Sequence, residues 1–171
     1  MAYRFSVAAI CLLAVCGCSG GDGSPIEPTA TTTPIIALTP TQPTTPTNTS
    51  FTGLLNGART GTGANAVSYD ARLGQAAQGH ANDMLANGYF AHAGLNGSSA
   101  GDRIRATGYN PRTWGENIAR GPQSEAAVFE AWQNSSGHRA NNLNPNFEDF
   151  ALARAGSGSQ SHWVLVFASE Q

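Results

Sequence analysis

HWVLVFA, His162 to Ala168, is the segment that most restricts what this chain can fold into. Side chains alternate along a strand, so Val164 and Val166 share one face and Trp163, Leu165 and Phe167 the other. Both faces are therefore apolar, and such a strand needs cover on both sides. ALARAG, Ala151 to Gly156, precedes it across SGSQS, and the two runs read as a β-hairpin. Helices are the only abundant cover elsewhere in the chain. The expectation is an α+β fold, a three-layer α-β-α sandwich around a central antiparallel sheet. His162 opens the second strand on the Val164 face, which places it at the rim where the layers part.

The helices are read from spacing. Asp70 is a candidate N-cap, and Leu73, Ala76, Ala77, His80, Ala81, Met84 and Leu85 follow the stripe of an amphipathic helix that Asn87-Gly88 stops. His80 falls on the buried stripe, where a hydrogen bond to a backbone carbonyl is its expected role. FTGLLNGAR has apolar residues at helical spacing, weakened by Gly53 and Gly57. Asp102 can cap a short helix in DRIRATGY. Pro122 and Ser124 open another helix carrying Val128 and Trp132 on one face, with Trp132 as a core anchor and Gly137 as its end.

The first fifty residues have another character. Arg4 and the apolar run SVAAICLLAV read as an export signal, too short for a permanent membrane helix. VCGCSGG follows, with a small residue before Cys18, the pattern of a bacterial lipoprotein signal; Cys16, after Val15, is the weaker lipidation candidate. PTATTTPIIALTPTQPTTPTNTS carries no charge and repeats Pro, so it reads as a semi-rigid tether without a core. The expected division is a signal over 1–17, a lipidated Cys18 with a Thr/Pro-rich linker over 18–50, and a folded domain over 51–171.

Composition removes several chemistries. Nine Lys+Arg oppose eleven Asp+Glu in 171 residues, a balance that argues against a nucleic-acid partner. Every basic residue is Arg, so no Schiff-base, Walker-type or dyad lysine exists. The cysteines are Cys11, Cys16 and Cys18, which leaves the domain without a disulfide. What remains is four histidines and a few acids. His92, Glu116, His138 and His162 all occupy loops or element ends, where side chains from different segments can converge. Two imidazoles and a carboxylate could ligate Zn²⁺ or another divalent cation, or form a metal-free acid–base pair. Gly97 to Gly101 matches G-x-S-x-G, but that motif needs a strand before its Ser and a helix after it. No H-E-x-x-H pattern is present.

LLNGAR, HANDML, GYFAHAG, DRIRATGY, WGENIA, AWQNSSGHRANNLNPNF and HWVLVF, in that order, resemble the CAP superfamily of cysteine-rich secretory, antigen 5 and pathogenesis-related proteins, in its bacterial branch (the SCP domain). The resemblance spans 51–171 and implies an α-β-α sandwich with a surface cleft of two His and two acids, sometimes holding zinc. It maps the first His to His92, the first acid to Glu116 and the second His to His162. The second acid falls on Ser135, a poor ligand, and the Thr-Gln pair that follows the second His in many members is lost here. His138 could fill the vacated volume if the helix stops at Gly137, with Arg139 pairing an acid or the chain terminus. Asn117 and Asn141 take structural roles, Asn141 satisfying loop backbone.

The expected function is a lipid-anchored, extracytoplasmic binding or cell-envelope interaction module, in the outer membrane if the host is diderm. Its partners would be the membrane, through the anchor, and a lipid, glycan or peptide ligand in the cleft. The alternative is a protease-like, metal-assisted hydrolase in which Glu116 polarises a water between His92 and His162.

Overall fold

A computed structural model describes residues 49–171; the export signal, Cys16, Cys18 and nearly all of the Thr/Pro-rich stretch lie outside the described residues. The described elements are α1 (Thr49–Gly61), β1 (Ser68–Tyr69), α2 (Ala71–Asn87), α3 (Ala100–Ala106), β2 (Pro111–Arg120), α4 (Glu125–Gln133), α5 (Ser136–Leu143), β3 (Asp149–Ala155) and β4 (His162–Glu170). A 3₁₀ turn over Gly158–Gln160 lies between β3 and β4. Among these residues no helix is long and apolar enough to cross a membrane.

The sheet has the order β1-β3-β4-β2. The three long strands are antiparallel, as the hairpin requires, and the two-residue β1 adds a parallel edge by pairing Ser68 with Asp149 and Tyr69 with Phe150. β4 lies between β3 and β2, and its residues His162 to Ser169 are all buried. The layered expectation holds. Leu73, Ala77, Ala81 and Met84 of α2 pack on Ala151, Ala153, Val164 and Val166. On the other face, Phe51 and Leu55 of α1 and Val128 and Trp132 of α4 pack on Leu152, Trp163, Leu165 and Phe167. Each such large side chain contributes about 1.5–3 kcal/mol when buried, so two apolar clusters sharing one strand hold the sandwich without a disulfide.

Helix α2 follows its local signals. Asp70 accepts from the amides of Arg72 and Leu73, and Gly88 closes the helix in the left-handed conformation at φ 67°. The stretch after α4 is different. Helix α4 ends at Gln133 with Asn134 as C-cap, and a second helix starts at Ser136. Gly137 therefore lies inside α5 and stops nothing, because the chain needs only Asn134 and Ser135 to turn between the two helices. His138, Arg139 and Asn141 are helical residues and not parts of a loop. Strand β2 carries no pattern that announces it: its buried centre, Gly115-Glu116-Asn117, is small or polar.

Candidate functional site

Three segments meet along β2, the open edge of the sheet. Glu116 faces the α2 side, opposite Val166. The loop after α2 brings His92 to it, and His92 Nδ1 lies 2.8 Å from Glu116 Oε1. A carboxylate only accepts, so Nδ1 carries the proton in the neutral and the charged ring alike, and Nε2 is bare in the neutral ring. From α3, Arg103 Nη2 donates to Glu116 Oε2 at 2.7 Å, to the His92 carbonyl at 3.1 Å, and through Nη1 to the Ser98 carbonyl at 3.0 Å. The Glu116 side chain is 2 % exposed while His92 is 58 % exposed. Both carboxylate oxygens are thus claimed, one by a permanent cation, and the imidazole is held with its other edge outward.

The opposite side of β2 is tied to α5. Asn117, fully buried, donates to the His138 carbonyl at 3.0 Å and to Asn142 Oδ1 at 2.9 Å. Asn141 donates to the Glu116 carbonyl at 3.2 Å and to Asn117 Oδ1 at 2.8 Å. The Asn141 amide therefore occupies a carbonyl on the free edge of a strand, not loop backbone. Gly115 is required by close approach: a Cβ there would lie 2.8 Å from Phe147 Cζ. In G-E-N, glycine admits Phe147, the acid binds Arg103 and His92, and the amide holds α5.

Between these groups is a cavity of about 530 Å³ lined by His92, Ala93, Gly97, Ser99, Ala100, Trp114, Gly115, Glu116 and Asn141. Ser99 belongs to a capping box: its hydroxyl accepts from the Asp102 amide and bonds the Asp102 carboxylate at 2.6 Å. No strand precedes it, so it is a helix cap and not an activated nucleophile.

Other expected site residues lie elsewhere. His162 pairs with Arg120, four positions along β2 from Glu116, which puts it about 13 Å away at strand spacing. It is buried and not at an open rim: its Nδ1–H donates to the Gln160 carbonyl at 2.8 Å, and its Nε2 has no partner. Ser135 is the N-cap residue of α5, makes no side-chain cap and does not line the cavity. Arg139 pairs with no acid among the described residues; it donates to the Gln133 carbonyl at the end of α4. His138 does not line the cavity, but it is near enough for His92 to bear on it: burial first, then the His92 charge, holds its pKa below the ordinary value. His80 is buried with Nε2 2.9 Å from the Ala91 carbonyl, next to His92 in sequence. Burial, then the Arg103 charge, lowers its pKa.

A metal held by His92, Glu116 and His162 does not fit this arrangement. His162 is at the far end of the strand, and Glu116 is already neutralised by a guanidinium that would repel a cation. Among the described residues no three of His, Cys, Asp and Glu gather as a ligand set. The residues that pattern reading missed are Arg103, Trp114 and Arg59. The first had a signal: a buried acid in a chain without Lys calls for an Arg, and DRIRATGY is next to GEN.

The family model of the cysteine-rich secretory protein family, CAP, matches residues 52–167. The chain belongs to this family. Bacillus subtilis YkwD is 37 % identical over 106 residues, which cover 62 % of this chain and 41 % of YkwD. An extracellular SCP-domain protein of Bacillus anthracis superposes with a TM-score of 0.64 at 28 % identity, covering 71 % of this chain and 39 % of that one. An outer surface protein of Borrelia burgdorferi shares the fold, with a TM-score of 0.62 at 22 % identity over 68 % of this chain and 87 % of its own. This CAP chain thus spans less than half the length of the Bacillus relatives it matches.

Proposed function

We propose that this CAP protein is an extracytoplasmic binding module, anchored by a lipid on Cys18 through the Thr/Pro-rich tether, which takes a ligand in the His92–Trp114 cavity at the cell envelope. The observation that carries the reading is the state of Glu116. Arg103 and His92 consume both its oxygens, so the cavity's one acid builds the wall and is not free to activate water. The extracellular description of the Bacillus anthracis relative supports the location.

Two measurements test it. The chain produced without its lipid should be retained on isolated envelope fractions, and His92→Ala, a change to an exposed side chain, should weaken that retention. Equal retention of both proteins, or none, would remove the cavity from the reading. For the anchor, metabolic labelling with a fatty acid should mark the wild type and not Cys18→Ala; label kept in that variant would move the lipid to Cys16.

The hydrolase reading keeps one support. Glu116 orients His92 so that Nε2 is free to take a proton. The Ser99 hydroxyl, bound to Asp102, is not poised as its nucleophile, and the metal that would replace one does not fit the donors. Turnover of an envelope substrate that Glu116→Gln abolishes in a folded protein would restore it.

A further inference from the structure

We infer that the cavity's ligand is an uncharged saccharide whose pyranose ring stacks on Trp114; this rests on the binding reading above and names its ligand class. The chain has three tryptophans, and two behave as core residues. Trp132 and Trp163 are buried, and their indole N–H groups donate to the carbonyls of Ile118 and Pro122. Trp114 does neither. It stands on the edge strand, 41 % exposed, its N–H has no partner among the described residues, and it forms a wall of the cavity.

The platform is built. The pyrrole side of the indole rests on the first turn of α3, where Gly101 leaves room for it: a Cβ at Gly101 would lie 2.6 Å from Trp114 Nε1. The ring is thus supported from beneath and leaves the rest of its surface to solvent, at the cost of exposed apolar area. An indole that is apolar on its face and a donor at its edge suits a partner with the same division, and a pyranose ring has one: C–H groups on a face, hydroxyls around the rim.

The remaining polar groups select charge and shape. Neutral His92 offers Nε2 as an acceptor, and Asn141 keeps Oδ1 while its amide nitrogen is spent on Glu116 and Asn117. These accept hydrogen bonds from hydroxyls. Arg103 is spent on Glu116, so it is not offered to an anion. Glu116 is spent likewise and is not offered to a cation. An acyl chain would need continuous apolar walls, whereas one side here is His92, Glu116 and Asn141. An extended peptide would need the free edge of β2, where Asn141 already holds the Glu116 carbonyl. A volume of about 530 Å³ lies within the range of small-molecule sites and exceeds what one bare sugar ring fills.

The test titrates the full chain with fully N-acetylated chitotriose, for amino-sugar strands, and with cellotriose, for plain glucans, followed by tryptophan fluorescence and calorimetry. Saturable binding of at least one is expected, and the preferred arm identifies the source. Trp114→Ala should lose roughly tenfold in affinity, whereas Trp114→Phe should stay within a few-fold. Trp114→Phe should melt close to the wild type, and Trp114→Ala should keep the native circular dichroism spectrum although it loses the packing on α3. Failure of both sugars to saturate, or equal binding by Trp114→Ala, would overturn the inference. If His92-dependent retention on envelope fractions then persists, the saccharide falls and the binding reading stands; if it is lost as well, both fall.

Discussion

Arg103 Nη2 meets Glu116 Oε2 at 2.7 Å, and this contact allows a carboxylate to sit buried in the edge strand. The Arg103 side chain is largely covered, so solvent screens the pair little. Removing one partner of a buried pair leaves an uncompensated charge, which costs about 3–5 kcal/mol. Arg103→Ala should therefore destabilise by about 3 kcal/mol, and adding Glu116→Gln should recover part of the loss. Urea unfolding of the two single variants and the double variant checks this. Additive losses would mean that the pair is not coupled.

Arg59 is a fully buried guanidinium with no acid beside it among the described residues. It donates to the carbonyls of Asn65, Asn142, Asn144 and Phe147, which ties α1 to the end of α5 and the turn before β3. Those late α5 carbonyls carry the negative end of the helix dipole, so backbone alone supports the charge. Arg59→Met should lose about 3 kcal/mol, since it leaves several buried carbonyls unpaired. Arg59→Lys should also lose stability, because an ammonium cannot span acceptors placed for a planar fork. A Lys variant with an unchanged denaturation midpoint would show that charge alone suffices.

Sequence pattern reached some elements and not others for physical reasons. Helix α2 was legible because its cap, stripe and stop are all local, and β4 because two apolar faces have one solution. Strand β2 was hidden by Gly115, Glu116 and Asn117, which look like loop and are buried only because Phe147, Arg103 and Asn142 come to them from other segments. The family motifs brought His92 and Glu116 forward as a pair. They also brought His162, which the structure separates from them, because the register of β2 on β4 is not written in either strand alone.

Two glycines should respond in opposite directions. Gly137 lies in the first turn of α5, and a Cβ there meets nothing within 4 Å. Gly137→Ala should therefore stabilise, by up to about 1 kcal/mol. Gly115→Ala should destabilise by about 1–3 kcal/mol, because its methyl group would push on Phe147. Trimming Phe147 to Leu should relieve part of that strain. Thermal melting of the four proteins decides it; a destabilised Gly137→Ala would mean that the turn between α4 and α5 depends on glycine after all.

Two histidines, buried His80 and half-buried His138, set a pH window. His80 has its pKa lowered from 6.5, first by burial and then by Arg103, against the opposing pull of Glu116, the Ala91 carbonyl and Asp83. The unfolded chain therefore takes up this proton more readily than the native one. Stability from neutral His80 is fully present above pH 6.5 and is lost as pH falls from there through the lower native value. His138, depressed by burial and His92, acts with the same sign. His80→Gln keeps an amide donor for the Ala91 carbonyl but cannot titrate. Melting temperature should decline below pH 6.5 in the wild type, less steeply in His80→Gln, and least when His138→Gln is added. Parallel declines in all three would assign the acid sensitivity to carboxylates and clear both imidazoles.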